Sequence, residues 1–219
     1  MNDDIILVNK PKGLTSFDVI RILRKKLGIK KMGHAGTLDP LATGLMIIGV
    51  GKGTKKLAQY LKMDKTYEAE ILIGVATDTY DIDGKIIEEK EVLNLNEEFV
   101  KEKLKLLEGV HEFEVPRFSA VKIQGKKLYE LARNSVDFIP PKRRMRVYKA
   151  EFIELRKHNK YYILEARFDV ASGTYIRTLA VEFGKLIGYP ATVYSIKRTR
   201  IGDCYLNDVP EPNLADTSG

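Results

Sequence analysis

Two stretches of strict two-residue alternation constrain the fold more than any other feature of this sequence. From Thr66 to Ile73 the residues Tyr67, Ala69, Ile71 and Ile73 share one face while Glu68 and Glu70 take the other. From Tyr161 to Val170 the residues Tyr162, Leu164, Ala166, Phe168 and Val170 repeat the pattern. Successive side chains of a strand point to opposite faces, so each stretch reads as a strand with one face buried. One wet face favours antiparallel pairing over a doubly wound parallel sheet, whose strands are covered on both sides.

The dry faces need cover, and three amphipathic helices offer it. Val19, Ile20, Ile22, Leu23 and Leu27 recur at helical spacing between an N-cap at Thr15 or Ser16 and a stop at Gly28. Asn96 to Leu107 carries Glu97 and Glu98 in its first turn, where the helix dipole favours acids, with Gly109 just past its end. Ile176, Leu179, Ala180, Phe183, Leu186 and Ile187 line a third helix that ends at Gly188. Ile5 to Val8 and Leu45 to Val50 read as further strands, short strands flank Pro116, Thr54 caps a short helix to Leu61, and Lys126 to Arg133 forms another. Asn134 to Arg146, with Pro140 and Pro141 in a basic run, reads as a long mobile loop. The expectation is one α+β domain over residues 1–209, a mixed, mainly antiparallel central sheet flanked by helices and loops. Residues 210–219 are expected to be a disordered polar tail.

Composition narrows the function. Thirty-seven Lys and Arg against thirty Asp and Glu give a net charge of +7, which favours a polyanionic partner. The basic residues gather at Arg24 to Lys31, Lys142 to Arg146 and Lys197 to Arg200, with Tyr and Phe between them. Any one such cluster reads equally well as a solvated face, but three together favour nucleic acid. No apolar run is long enough for a membrane helix, and the acidic start Met1-Asn2-Asp3-Asp4 lacks the basic flank of a signal peptide, so a cytoplasmic location is expected. One cysteine, Cys204, excludes an internal disulfide and a Cys-based zinc cluster, and three scattered histidines argue against a structural metal.

The glycines invite cofactor readings that fail on spacing. Gly49-Val50-Gly51-Lys52-Gly53-Thr54 fits neither a phosphate-binding loop nor a dinucleotide fingerprint. Asp78 to Gly84 departs from a calcium loop, with Thr79 at the first ligand position and Lys90 where the closing Glu belongs, and reads as a turn. What remains is Gly33-His34-Ala35-Gly36-Thr37-Leu38-Asp39-Pro40-Leu41-Ala42-Thr43-Gly44, a loop whose only ionisable groups are one imidazole and one carboxylate and which runs into an apolar strand. Glycines admit a ligand backbone, and a rigid support suits a nucleophile or base at Asp39; a plain Asp-Pro turn fits the spacing equally well. In Ser172-Gly173-Thr174-Tyr175-Ile176-Arg177-Thr178, Arg177 falls in a first helical turn, where a cation opposes the dipole and needs an anionic partner, or is a structural ion pair.

Taken with Lys10 to Ser16, Asp64 to Tyr67, Phe118 to Lys122 and Gly125 to Tyr129, these two blocks resemble, in order over residues 5 to 202, the motifs of the bacterial tRNA pseudouridine(55) synthases, the TruB family. The resemblance implies the pseudouridine synthase fold, an isomerase that needs no cofactor, and tRNA, through its T-arm, as partner of a monomer. It implies Asp39 as catalytic aspartate, acting as nucleophile at the sugar or as base at the 2′ position, with Arg177 pairing with it. It implies that Tyr67 stacks on a flipped base, that Tyr175 and Ile196 line its pocket, and that His34 intrudes into the RNA loop. Lys10 and Pro11 are expected at the substrate, and Lys126, Lys127, Lys142, Arg143 and Arg144 at the RNA backbone, within a basic segment from Lys126 to Arg146 that closes over RNA. Family members continue into a small C-terminal RNA-binding domain that these 219 residues do not include, so affinity or substrate range is expected to differ. The same motifs would serve a synthase of another RNA, and the basic face alone would serve a non-catalytic RNA-binding module.

Overall fold

A computed structural model of the chain describes residues 4–210, 213 and 215. In chain order its elements are β1 (Ile5–Lys10), α1 (Ser16–Leu27), β2 (Met32–His34), β3 (Thr43–Val50), α2 (Leu57–Leu61), β4 (Lys65–Ile73), β5 (Val75–Thr77) and β6 (Ile86–Glu89). They continue with α3 (Glu97–Lys105), β7 (Gly109–Glu114), β8 (Lys122–Ile123), β9 (Lys126–Lys127), α4 (Leu128–Arg133) and β10 (Lys142–His158). The last are β11 (Tyr161–Val170), α5 (Ile176–Ile187), β12 (Ala191–Ile201) and β13 (Cys204–Tyr205). The chain divides into two compact units, Met1–Glu68 with Ile196–Gly219, and Ala69–Ser195. No linker marks the division, which falls inside β4 and β12, and this is why the sequence reads as one domain.

In the first unit β1 pairs antiparallel with β3, from Ile5 opposite Gly49 to Lys10 opposite Gly44, while β12 joins β3 in parallel at Lys197 and Arg198. β3 is buried along almost its whole length, as an apolar strand covered on both faces must be. Ala35, Leu45, Ile47, Leu57 and Ile201 form a core against which Ile5, Leu7, Tyr60 and Met63 pack. α1 buries Val19, Ile20 and Leu23. Its start is fixed by a capping box: the Asp18 N–H donates to Thr15 Oγ1 at 3.0 Å, and the Thr15 N–H donates to Asp18 Oδ2 at 2.8 Å. Gly28 ends the helix in the left-handed conformation, its N–H donating to Arg24 O.

In the second unit the strand order is β4-β11-β10-β7, with β10 antiparallel to both β11 and β7. The alternation expected of β4 and β11 is present in their burial. α5 buries Ile176, Leu179, Ala180, Phe183 and Ile187 of the stripe read from sequence, leaves its sixth member Leu186 exposed, and stops at Gly188. α3 is capped by Asn96, whose side chain accepts from the Phe99 N–H at 3.0 Å, and packs against β10 and α5.

The structure corrects the sequence reading at several points. The largest lies in the expected loop from Asn134 to Arg146: Lys142 to Arg146 open the 17-residue strand β10, with Lys142 opposite Glu114 and Arg146 opposite Val110. Charge on the wet face hid a two-residue period whose dry members are Met145 and Val147, both buried. Two bulges, between Val147 and Lys149 and between Phe152 and Glu154, let so long a strand bend. The Met32 to Gly44 loop begins as strand β2, and Lys126 and Lys127 are strand rather than helix. Thr54 does not cap α2: its hydroxyl donates to Gly51 O at 2.8 Å inside a 3₁₀ turn, Gly51–Lys56, that precedes the helix. Gly109 opens β7 instead of closing α3, which ends at Lys105. Of the expected tail, Asn213 hydrogen-bonds with both the N–H and the carbonyl of Asn9 on β1, whereas 211, 212, 214 and 216–219 lie outside the described residues.

Candidate active site

In the first unit the Gly33 to Gly44 loop leaves β2 and enters β3 with Asp39 half-buried near its middle. Its backbone is held from four sides. Ser16 Oγ donates to Leu38 O at 3.0 Å and accepts from the Leu38 N–H at 2.8 Å. Pro40 O accepts from the Gly13 N–H at 2.9 Å and from Lys10 Nζ at 3.3 Å. The Ala42 N–H donates to Asp39 O at 3.0 Å. The fully buried Arg198 donates from Nε to Leu45 O at 2.8 Å and from Nη2 to Gly36 O at 3.3 Å, stapling the two ends of the loop. Gly44 has to be glycine: its φ is +104° and an added Cβ would lie 2.3 Å from Arg198 O.

Two further buried cations, Lys10 and Lys65, lie against the same loop. Lys10 places its ammonium on the carbonyls of Pro11, Leu14 and Pro40 and is fully buried. Burial lowers its pKa to about 8, the Asp39 charge opposing and Arg198 adding to the shift. Lys65, whose ammonium binds Leu61 O and Met63 O, is likewise lowered to about 8 by burial and then by Arg198. His34 has a lowered pKa, from burial first and Arg198 second, so the imidazole favours its neutral form. Tyr67, 9% exposed, lies on the buried face of β4, and Ile196 is buried on β12.

In the second unit Arg177 is buried in the first turn of α5. Its Nη1 donates to Thr79 O at 2.8 Å and lies 3.8 Å from Asp81 Oδ2, and its Nη2 donates to Phe118 O at 3.1 Å. A carboxylate and two carbonyls offset a cation placed against the helix dipole. Asp81 is itself held by Thr79 Oγ1 at 2.6 Å and the Asp83 N–H at 3.2 Å. Between Thr79 and Asp81 sits Tyr80 with φ at +66°, a left-handed conformation that costs a non-glycine residue about 1–3 kcal/mol. Tyr175, the N-cap of α5, packs against the cluster of Val115, Leu128 and Met145.

Set beside the sequence reading, the first unit holds Lys10, Pro11, His34, Asp39, Tyr67 and Ile196, and the second holds Tyr175 and Arg177. Lys10 holds its buried ammonium on three carbonyls and supports the loop that carries Asp39. The basic cluster Lys197 to Arg200 is a correction, because only Lys197 is exposed; Arg198 is buried and Arg200 donates to Thr66 Oγ1 and Gly202 O. Lys126, Lys142, Arg143 and Arg144 are exposed, and Lys127 turns its ammonium to the Tyr129 hydroxyl. Sequence reasoning assigned no role to Ser16 beyond a possible cap, nor to Arg198 beyond a basic cluster, nor to Asp81 beyond a turn. No local signal marks them, because their partners lie 22, 153 and 96 residues away.

Comparison with known proteins places this arrangement. The model of the TruB family pseudouridylate synthase N-terminal domain matches residues 24–176. The tRNA pseudouridine synthase B of Endomicrobium trichonymphae is 41% identical over 200 residues, covering 91% of this chain and 85% of that protein. The enzyme of the same name from Protochlamydia amoebophila is 44% identical over 201 residues, covering 91% of this chain and 74% of its own. Among solved structures, a Cbf5-Nop10-Gar1 complex superposes with a TM-score of 0.69 at 26% identity, covering 91% of this chain and 49% of the matched one. An H/ACA RNP bound to a substrate RNA containing 2′-deoxyuridine has the same fold, with a TM-score of 0.67 at 24% identity. By the family match and these identities, the chain belongs to the TruB family of pseudouridylate synthases.

Proposed function

We propose that this chain isomerises a uridine of tRNA to pseudouridine, at position 55 in the T-loop, with Asp39 as the catalytic carboxylate. The observation that carries the reading is the immobilised loop: every peptide group flanking Asp39 has a hydrogen-bond partner, inside a sequence block specific to the family. The reaction breaks the bond between uracil N1 and ribose C1′, turns the base and rejoins it through C5, with no net redox change and no group carried away. It therefore asks the protein to extrude the base, hold it, and present one carboxylate, as nucleophile at the sugar or base at the 2′ position. Tyr67 supplies a π-face for the extruded base, Ile196 an apolar wall, and His34 a neutral ring to enter the space the base leaves. Lys126, Lys127, Lys142, Arg143 and Arg144 supply charge for the phosphates, the T-arm being recognised by shape. A tRNA substrate suits work in the cytoplasm, and no helix among the described residues is long and apolar enough to cross a membrane.

The test is to incubate the protein with unmodified tRNA and with a T-arm stem-loop alone, in EDTA and without nucleotide, and to map pseudouridine by chemical labelling. Modification of both at position 55 is expected. Pseudouridine at another site would assign a different RNA target, and tight binding with no pseudouridine would reject the enzyme reading.

A further inference from the structure

We infer that Ser16 is a positioning residue for Asp39, an inference that rests on the reading of Asp39 as the catalytic carboxylate. In a sequence beginning Thr15-Ser16 before a helix, either hydroxyl could satisfy the free N–H groups of the first turn. Thr15 takes that task through the capping box with Asp18. Ser16 becomes the first residue of α1, 2% exposed, and is free for another partner.

That partner is Leu38, on both sides of its α-carbon. The hydroxyl accepts from the Leu38 N–H at 2.8 Å and donates to Leu38 O at 3.0 Å. One oxygen thereby fixes the two peptide planes that Leu38 joins, and the second of them carries the Asp39 N–H. Beyond Asp39 the chain is fixed again, with Ala42 on Asp39 O and Gly13 and Lys10 on Pro40 O. The Leu38 side chain is buried as well, so the residue before the carboxylate has little freedom in either backbone or side chain. Among the described residues the side chain that bonds the Leu38 peptides is Ser16, and it belongs to a rigid helix rather than to the loop. A misplacement of about 1 Å at a reacting group costs on the order of 100-fold in rate, and removing this hydroxyl unlocks the peptide on which Asp39 is mounted. Because the bond runs to the backbone, Ser16 acts through the Asp39 position alone and touches no substrate.

The experiment compares Ser16→Ala, which removes the bond in both directions, with Ser16→Thr and Ser16→Cys, which keep a group able to donate and accept. Each is measured for thermal stability, for affinity toward an unmodified T-arm stem-loop, and for single-turnover rate with enzyme saturating. Ser16→Ala is expected to lower the single-turnover rate by about 10- to 100-fold while affinity changes less than about 3-fold, and at least one of Thr and Cys is expected to recover much of the rate. A folded Ser16→Ala protein with the wild-type single-turnover rate would overturn the inference. So would a loss explained by weaker RNA binding, or a failure of all three variants to fold, since the hydroxyl would then serve the fold and not the carboxylate. Asp39→Asn separates the two claims: if that variant turns over normally, the reading of Asp39 falls, whereas an inactive Asp39→Asn beside a fully active Ser16→Ala removes only the inference about Ser16.

Discussion

At the scale of single residues, what distinguishes this chain is how charges are held. Asp39→Asn keeps the shape of the side chain and its loop, so it should abolish pseudouridine formation while leaving melting temperature and RNA affinity nearly unchanged; a gel-shift titration beside the labelling assay checks both. Arg177 sits against Asp81 with both side chains almost fully buried. Breaking a buried pair by deleting one member typically costs about 3–5 kcal/mol, because the remaining charge stays in the interior. Arg177→Ala should therefore lower stability by about that amount in urea titrations, and Arg177→Lys by less, since it keeps the charge while losing the planar fork that reaches Thr79 O and Phe118 O. An Ala variant as stable as wild type would mean that the pair contributes nothing to the fold.

At the scale of elements, the local signals were the reliable ones. Thr15 with Asp18 starts α1, Gly28 and Gly188 stop α1 and α5, and alternation marks β4 and β11, because caps and periodicity depend on neighbours in sequence. β10 escaped because its first residues follow Pro140-Pro141 and carry three cations in a row, a composition suited to a loop. Only the ladder with β7, distant in sequence, makes them strand. Lys142, Arg143 and Arg144 project from a hydrogen-bonded strand, so the backbone that carries their charge stays in place when RNA is absent. Each phosphate contact contributes about 0.7 to 0.9 to the slope of log affinity against log salt. Replacing the three by Gln should flatten that slope by roughly 2 to 3 units if all three contact phosphate, as RNA binding measured between low and moderate salt would show. An unchanged slope would place RNA elsewhere.

At the scale of the whole molecule, burying two lysines leaves a signature in how stability varies with pH. Lys10 and Lys65 both fall from the ordinary 10.5 to about 8, so between those values the folded chain has released protons that the unfolded chain still holds. Their contribution to stability is then complete above about 10.5 and is lost as pH falls to about 8. Tyr80 and Cys204 are shifted upward by burial and act in the opposite sense, so the test is a difference. The slope of unfolding free energy against pH across this window should be less positive in Lys65→Met than in wild type, by up to about 1.4 kcal/mol per pH unit. Identical slopes would mean that Lys65 titrates alike in both states.

By itself the sequence determined the α+β class, the start of α1 and the stops of α1 and α5, the buried faces of two strands, and the loop that carries Asp39. All of these rest on residues within a few positions of one another, where periodicity, capping and glycine's freedom act. The tertiary structure alone decided that Lys10 and Arg198 bury their charges on backbone carbonyls, that Asp81 pairs with Arg177, and that the Ser16 hydroxyl turns to Leu38. A cation or hydroxyl has the same sequence signature whether it faces water or a buried carbonyl. Which of the two it meets depends on segments that only folding brings within 3 Å or so of each other, the range over which a hydrogen bond acts.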